Sequence, residues 1–303
     1  MQHQAPLRGR LAPWIAGARP RTLPAAIVPV LVGTACAVRD TGEWNHGIIV
    51  WRAVAALVVS LAIQVGTNYA NDYSDGIRGT DEVRVGPVRL VASGLASASA
   101  VKRAAFSSFA VAAVAGLALA SVAGWWLIAV GAAAFLAGWF YTGGPRPYGY
   151  AGFGELFVFV FFGLVATVGS TYVQVEEITG LSIAAALPVG LVATALLVTN
   201  NLRDIPTDRT AGKHTLAVRI GAHATRILYV AIVVSVFAVV IAIAAIDRPW
   251  AALALIGVPV AVAPVRTVLS GATGRALIPV LGATGRTQLA MGALLAIGIA
   301  VSA

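Results

Sequence analysis

Residues 104–145 read AAFSSFAVAAVAGLALASVAGWWLIAVGAAAFLAGWFYTGGP, 42 positions without one Asp, Glu, Lys or Arg. A membrane-spanning helix takes about 20 apolar residues, within a range of about 17–25. The run is too long for one such helix and right for two, with a break near Ala123-Gly124. Working outward, the charged residues cut the rest of the chain into further uncharged runs at 22–38, 53–71, 156–175, 178–202, 227–246, 249–265 and 287–303. A charge at mid-bilayer costs roughly 2.5–3.5 kcal/mol on insertion scales, which accounts for gaps this regular. The reading is an all-α membrane protein of one domain, 1–303. It is a bundle of nine transmembrane helices around a central cavity, with spans near 22–38, 53–71, 104–122, 125–141, 156–175, 182–200, 227–246, 249–265 and 287–303.

Composition agrees. Of 303 residues, 59% are hydrophobic and 11% charged, where soluble domains average about 45–50% and about 25%. Mean hydropathy is +0.86. A soluble globule and a disordered chain are both excluded. One cysteine, Cys36, excludes an internal disulfide framework and a cysteine-built metal site. With the N-terminus inside, 18 of the 21 Lys and Arg residues fall in inner segments, and only Arg39, Arg52 and Arg248 fall outside. That is a strong positive-inside bias. It explains the net charge of +9 without nucleic acid. It also places the chain as a multi-pass protein of the cell membrane, with a polar cap on its cytoplasmic side.

The carboxylates carry the functional signal. Asp40, Glu43, Glu176, Glu177 and Asp247 fall in outer turns, and Glu155 opens the fifth span. The other six, Asp72, Asp75, Asp81, Glu82, Asp204 and Asp208, form two groups at the inner ends of spans two and six. The groups are related: Thr67-Asn68-x-x-x-Asp72 matches Thr199-Asn200-x-x-x-Asp204, and Val88-Arg89-Leu90 resembles Val218-Arg219-Ile220. This suggests an internal duplication, or two half-bundles meeting at one site. At helical spacing Asn68, Asp72 and Asp75 share a face, as do Asn200, Asp204 and Asp208. Stacked carboxylates repel, so they take up protons or hold a cation. Oxygen ligands without Cys or His suit Mg2+ shared with a phosphate, and two facing clusters would make a two-ion diphosphate site. The polar stretches 71–103 and 199–226, read as loops, add Arg78, Arg84 and Arg89, and Arg203, Arg209, Lys213 and Arg219. Such cations are what a diphosphate requires. A rigid aromatic loop, Tyr141-Thr-Gly-Gly-Pro-Arg146-Pro-Tyr148-Gly-Tyr150, adds one more. The main rival from another class is a cation-coupled transporter, which would place its acids near the bilayer midplane rather than its inner edge.

The cluster Asn71-Asp72-Tyr73-Ser74-Asp75 with Asp81, and the cluster Asp204-x-x-x-Asp208 with Lys213, resemble the two aspartate motifs of the UbiA superfamily of intramembrane aromatic prenyltransferases. The flanking stretches Arg19–Pro24, Gly86–Gly94, Tyr141–Tyr150 with Gly154-Glu155, Asn200–Asp204 and Gly212–Gly221 are similar to the branch that acts on 1,4-dihydroxy-2-naphthoate in menaquinone biosynthesis. The resemblance implies a polyprenyl diphosphate donor, a naphthoate acceptor, and two Mg2+ ions at the cytoplasmic mouth of the cavity. It implies metal ligation by Asn68, Asp72, Asp75 and Asp81 on one side and by Asn200, Asp204 and Asp208 on the other. Asn71 either ligates metal or caps a helix end. Arg84, Arg89, Arg146, Arg203 and Lys213, with Asn68 and Tyr141, are implied as diphosphate contacts. Tyr69, Tyr73 and Tyr141 are candidates for shielding an allylic cation, with interface packing as the competing reading. A sibling enzyme with another acceptor, such as 4-hydroxybenzoate, would keep the aspartates and differ in the cavity wall. An alcohol phosphotransferase fits less well, because Asp75-Gly76 is followed by Ile77-Arg78-Gly79 rather than by that class's Ala-Arg pair.

Overall fold

The structure, a computed structural model, describes residues 7–39, 46–80 and 89–303. Every regular element among them is helical. In chain order they are α1 (Leu7–Ala18), α2 (Pro24–Ala35), α3 (Val50–Ile77), α4 (Ala98–Ala123), α5 (Leu127–Phe140), α6 (Gly154–Val175), α7 (Gly180–Thr210), α8 (Leu216–Ile246), α9 (Pro249–Leu269) and α10 (Gly274–Val301). The seven helices α3, α4, α6, α7, α8, α9 and α10 are long and apolar enough to cross a membrane. The runs 22–38 and 125–141 hold α2 and α5, apolar helices of 12 and 14 residues. The break expected near Ala123-Gly124 is there: Gly124 has φ 134°, a conformation that favours glycine, and its amide closes α4 on the Ala120 carbonyl.

Helix starts follow local chemistry. The Ser97, Thr179 and Thr215 hydroxyls accept hydrogen bonds from the amides of Ala100, Ser182 and Val218, capping α4, α7 and α8. The outward faces are apolar, with Val114 71% and Ile256 64% exposed. This fits a lipid bilayer, where no hydrophobic penalty attaches to such faces. Close crossings use glycine. A methyl group on Gly163 would lie 2.5 Å from the Cα of Gly190, so α6 and α7 touch backbone to backbone. Around that crossing α6 winds as a π-helix over Phe159–Val165, which swings Phe161, Phe162 and Val165 onto the cavity wall.

The main core joins α2, α7, α8, α9 and α10 around Val28, Val189, Tyr229, Met291 and Leu295. A second cluster packs α1, α3 and α4 around Tyr69, Leu90, Val101 and Phe109. A cavity of about 960 Å3 runs between these two bodies, walled by α2, α3, α4, α5, α6 and α7.

Of the polar stretches read as loops, 199–226 is mostly helical and 71–103 is helical at 71–77 and 98–103. Asp72 and Asp75 lie on α3 itself, and Asn200 through Thr210 on α7. The first segment meets no helix breaker before Gly76, the second continues through Pro206 to Thr210, and the polar side chains of Asn68, Asn71, Asp72, Asp75, Asn201, Arg203 and Asp204 are buried in the bundle. The backbone can therefore go on helically where hydropathy falls.

Candidate active site

The cavity is amphipathic along its length. Its deep wall is apolar, from residues such as Val30, Leu119, Leu127, Phe161 and Val165. Its mouth, at the end of the bundle carrying Ile77 and Thr210, is lined by Asn68, Asn71, Asn200, Arg89 and Arg203, with Arg19 and Arg21 lining its deeper side next to Asn68 and Gln64. The matched asparagines of the two motifs both line it, so α3 and α7 present corresponding faces to one space.

The aspartates stand just behind this lining. Asp72 is buried, and its two oxygens accept the backbone amides of Leu90 (2.8 Å) and Val91 (3.0 Å), tying the start of the segment after residue 88 onto α3. Asp75 is a meeting point. Lys213 Nζ lies 3.2 Å from its Oδ1, Arg89 Nη2 lies 3.7 Å from its Oδ2, and the Tyr150 hydroxyl donates to Oδ1. Asp204 receives a two-pronged pair from its neighbour Arg203, both contacts at 2.7 Å. The remaining Arg203 nitrogen, Nη1, is buried without a partner among the described residues, on a side chain that lines the cavity. Asp208 is half-buried one turn further, and its carbonyl receives the Lys213 amide at 2.8 Å.

The aromatic loop closes this arrangement from a third side. Thr142 donates to Asn71 Oδ1 at 2.9 Å. Arg78, at the end of α3, donates to the carbonyls of Thr142 and Gly144 and lies 5.6 Å from the Tyr150 ring centre. Lys213 also lies over that ring, 4.6 Å from its centre, and the Tyr150 carbonyl accepts the His214 amide at 2.8 Å. Burial, and after it the Asp75 carboxylate, push the Tyr150 phenol above its ordinary pKa. It therefore stays protonated and keeps donating.

Several expected site residues fall elsewhere. Asp81 and Arg84 lie outside the described residues. Arg146 is exposed on the turn and does not line the cavity, because Pro145 and Pro147 direct it away from the packed face of the loop. Tyr69 donates to the Trp14 carbonyl at 2.8 Å and Tyr73 stacks on Trp139, so of the three tyrosines only Tyr141 lines the cavity. One helical step of about 100° from the Asn68 and Asp72 face explains this. The second half of the repeat also diverges: Arg89 is buried, whereas Arg219 is exposed and donates to the His214 carbonyl. Sequence reasoning overlooked Arg19 and Arg21 by counting them only as inner-face cations. The signal was the turn-forming Arg19-Pro20-Arg21-Thr22 directly before an apolar run.

Among the described residues, no three of His, Cys, Asp and Glu stand together as a ready-made metal cage. Carboxylate and amide oxygens at a cationic mouth suit a hard ion that takes only one or two protein oxygens and completes its shell from a phosphate. The donor set thus fits Mg2+ arriving with a diphosphate.

Comparison with known proteins points the same way. A model of the UbiA prenyltransferase family matches residues 26–277. The chain is 50% identical over 278 residues to a Mycobacterium tuberculosis protein named 1,4-dihydroxy-2-naphthoate octaprenyltransferase, covering 92% of this chain and 93% of that one. An Escherichia coli protein of the same name is 34% identical over 302 residues, covering 97% and 96%. Among solved structures, the apo form of a UbiA homolog from Aeropyrum pernix K1 superposes with a TM-score of 0.67 at 14% identity, covering 97% of this chain and 99% of that one. A UbiA homolog from Archaeoglobus fulgidus bound to GPP and Mg2+ gives 0.64 at 13% identity, covering 94% and 99%. These two speak to the fold alone. The family match and the relatives that align along nearly the whole length agree with the paired aspartate motifs around one amphipathic cavity: the chain belongs to the UbiA prenyltransferase family.

Proposed function

We propose that this protein transfers a polyprenyl group from polyprenyl diphosphate to 1,4-dihydroxy-2-naphthoate, releasing diphosphate and CO2 and giving demethylmenaquinol for menaquinone biosynthesis. The observation that supports this most is the 50% identity to a 1,4-dihydroxy-2-naphthoate octaprenyltransferase across 92% of the chain.

The cavity suits the chemistry. Its apolar length accepts an isoprenoid, and its cationic mouth accepts the diphosphate. Asn68, Asp72 and Asp75 from α3, and Asn200, Asp204 and Asp208 from α7, would hold two Mg2+ ions, which when bound neutralise charge on the leaving group. Arg89, Arg203 and Lys213 would turn from their carboxylate partners to phosphate oxygens, where preorganised cations act on the charge that builds as the allylic C–O bond breaks. The electron pair of that bond leaves with the diphosphate. The electron-rich naphthoate ring attacks the resulting allylic carbon, and loss of the ring carboxylate as CO2 restores aromaticity. Tyr141, Phe161 and Phe162 line the wall where the cation would be shielded, and the apolar surroundings keep water from capturing it.

In this reading α2 and α5 complete nine spans, the N-terminus and the aspartate end face the cytoplasm, and the protein sits in the cell membrane. The test uses purified protein with labelled farnesyl diphosphate, Mg2+ and either 1,4-dihydroxy-2-naphthoate or 4-hydroxybenzoate, with an EDTA control. The expected result is a decarboxylated, lipid-soluble product from the naphthoate alone, lost with EDTA. Product from the benzoate alone would overturn the acceptor. Flux of a cation without any prenyl product would overturn the enzyme.

A further inference from the structure

Among the described residues, four arginines line the cavity, Arg19, Arg21, Arg89 and Arg203, and no carboxylate does. They divide into two sets. Arg89 and Arg203 lie beside acids, with Asp75 3.7 Å from one and Asp204 2.7 Å from the other. Arg19 and Arg21 make no ion pair among the described residues. The Nη2 of Arg19 is buried and without a hydrogen-bond partner there. Arg19 is half-buried overall, and leaving one buried guanidinium nitrogen without a partner is costly.

The backbone at Arg19 is also unusual. Its φ of 54° and ψ of 69° are left-handed, a conformation uncommon for a side chain of this size. Such strain persists only where the surroundings hold it, and here they do. The Thr22 hydroxyl donates to the Arg19 carbonyl at 2.9 Å and accepts from Gln64 Nε2 at 2.9 Å and Asn68 Nδ2 at 3.2 Å. Asn68 Nδ2 also reaches the Ala18 carbonyl at 3.0 Å. The Arg-Pro-Arg-Thr turn is therefore pinned to α3 at residues 64 and 68. At 1.5 Å per residue, those positions lie about 6–12 Å deeper along the helix than Asp72. The turn therefore borders the deeper side of Asn68, next to the apolar wall that a prenyl chain would follow.

We infer that Arg19, with Arg21 beside it, forms a second anion site in the cavity, adjoining the diphosphate end on its deeper side, which recognises the aryl carboxylate of the acceptor. The planar guanidinium fork matches a carboxylate. The apolar neighbours Ile63 and Phe135 and the polar Gln64 and Ser60 line the same space, which suits a flat bicycle carrying hydroxyl groups. The site rests on the functional reading above. It makes the carboxylate, although it is lost in the reaction, a determinant of binding.

The test compares full-length wild type with Arg19→Gln and Arg19→Lys in detergent. Binding is measured for 1,4-dihydroxy-2-naphthoate, for 1,4-dihydroxynaphthalene, which lacks the carboxylate, and for geranyl diphosphate with Mg2+. KM is measured for both substrates. Arg19→Gln should weaken naphthoate binding and raise its KM by about 10- to 100-fold, the range for one charged hydrogen-bonding partner. The wild-type preference for the carboxylated ligand should collapse, geranyl diphosphate affinity should be unchanged, and Arg19→Lys should restore part of the preference. Weaker diphosphate binding with intact naphthoate binding would assign Arg19 to the donor and overturn the inference, as would no change in either. If Arg19→Gln does not fold, Arg19→Lys carries the test, because it keeps the charge and loses the fork. It should weaken the naphthoate selectively, and equal affinities to wild type would overturn the site. If wild type binds diphosphate but not the naphthoate, the functional reading itself fails and the acceptor site with it. A normal wild type beside an unchanged variant sinks only the site.

Discussion

Lys213 and Asp75, 138 positions apart in the chain, meet at 3.2 Å behind the mouth of the cavity. Both are buried, and the contact ties the first aspartate motif on α3 to the segment that follows the second motif on α7. Breaking a buried pair by removing one partner typically costs about 3–5 kcal/mol, because the other charge is left uncompensated. Lys213→Ala should therefore lower both thermal stability and turnover, the latter by about 100-fold or more. Lys213→Ala with Asp75→Asn should recover part of the stability and none of the activity. Melting curves and kcat of the two single variants and the double variant check this.

Asp72 has two roles to separate. Its oxygens hold the Leu90 and Val91 amides, and the proposed function gives it metal as well. Asp72→Asn keeps an acceptor for one amide and loses the charge. The expected result is a folded protein, destabilised by about 1–3 kcal/mol, with turnover abolished even at saturating Mg2+. Near-normal turnover would confine Asp72 to anchoring the segment after residue 88.

Tyr150→Phe removes the donor to Asp75 and keeps the ring against Lys213. Activity should fall roughly 10-fold, the effect of one hydrogen bond to a charged group. The pH response has a definite sign. The folded phenol holds its proton more tightly than the unfolded one, so its contribution to stability is complete below the ordinary tyrosine pKa of about 10 and is lost as pH rises beyond that. The stability margin of wild type over Tyr150→Phe should hold below about pH 10 and shrink steadily above it, read from thermal melts.

At the α6–α7 crossing, Gly163→Val would drive a side chain into the backbone of Gly190, 2.5 Å from the first carbon added. Overpacking of this kind costs about 1–3 kcal/mol and more when backbone must move. The melting temperature should drop clearly, and the neighbouring cavity wall at Phe161 and Phe162 should shift, reducing farnesyl diphosphate binding. A stable, fully active Gly163→Val protein would contradict the close packing.

The proposed orientation is open to a labelling test. Cys36 is the sole cysteine and is buried. In a Cys36→Ser background, Arg146→Cys should react with an impermeant thiol reagent only from the cytoplasmic side, and Arg248→Cys only from the other. The reverse pattern would invert the topology.

The paired motifs Thr67-Asn68-x-x-x-Asp72 and Thr199-Asn200-x-x-x-Asp204 were legible in one dimension, because helical periodicity turns spacing into a shared face. Hydropathy located the apolar helices for a similar reason: each must meet its own solvent, residue by residue. Arg146 shows the limit. As the one cation of an aromatic loop it looked like a phosphate ligand, yet backbone turns at two prolines leave it exposed, while Arg78 and Tyr150 take the inward contacts. Arg19 shows the converse, an ordinary inner-face cation by its sequence that the fold turns into the cavity.

By itself, then, the sequence determined a helical bundle for a bilayer, two related acid clusters and the chemistry their oxygens suit. These depend on local composition and on spacing within single helices. Only the tertiary structure decided that Asp72 grips the backbone amides of Leu90 and Val91, that Tyr150 joins Asp75 to Lys213, and that Arg19 Nη2 is buried without a partner among the described residues. Those outcomes depend on which groups reach one another across helices far apart in the chain. Burial makes each polar group take the nearest partner available, and no spacing rule specifies which partner that is.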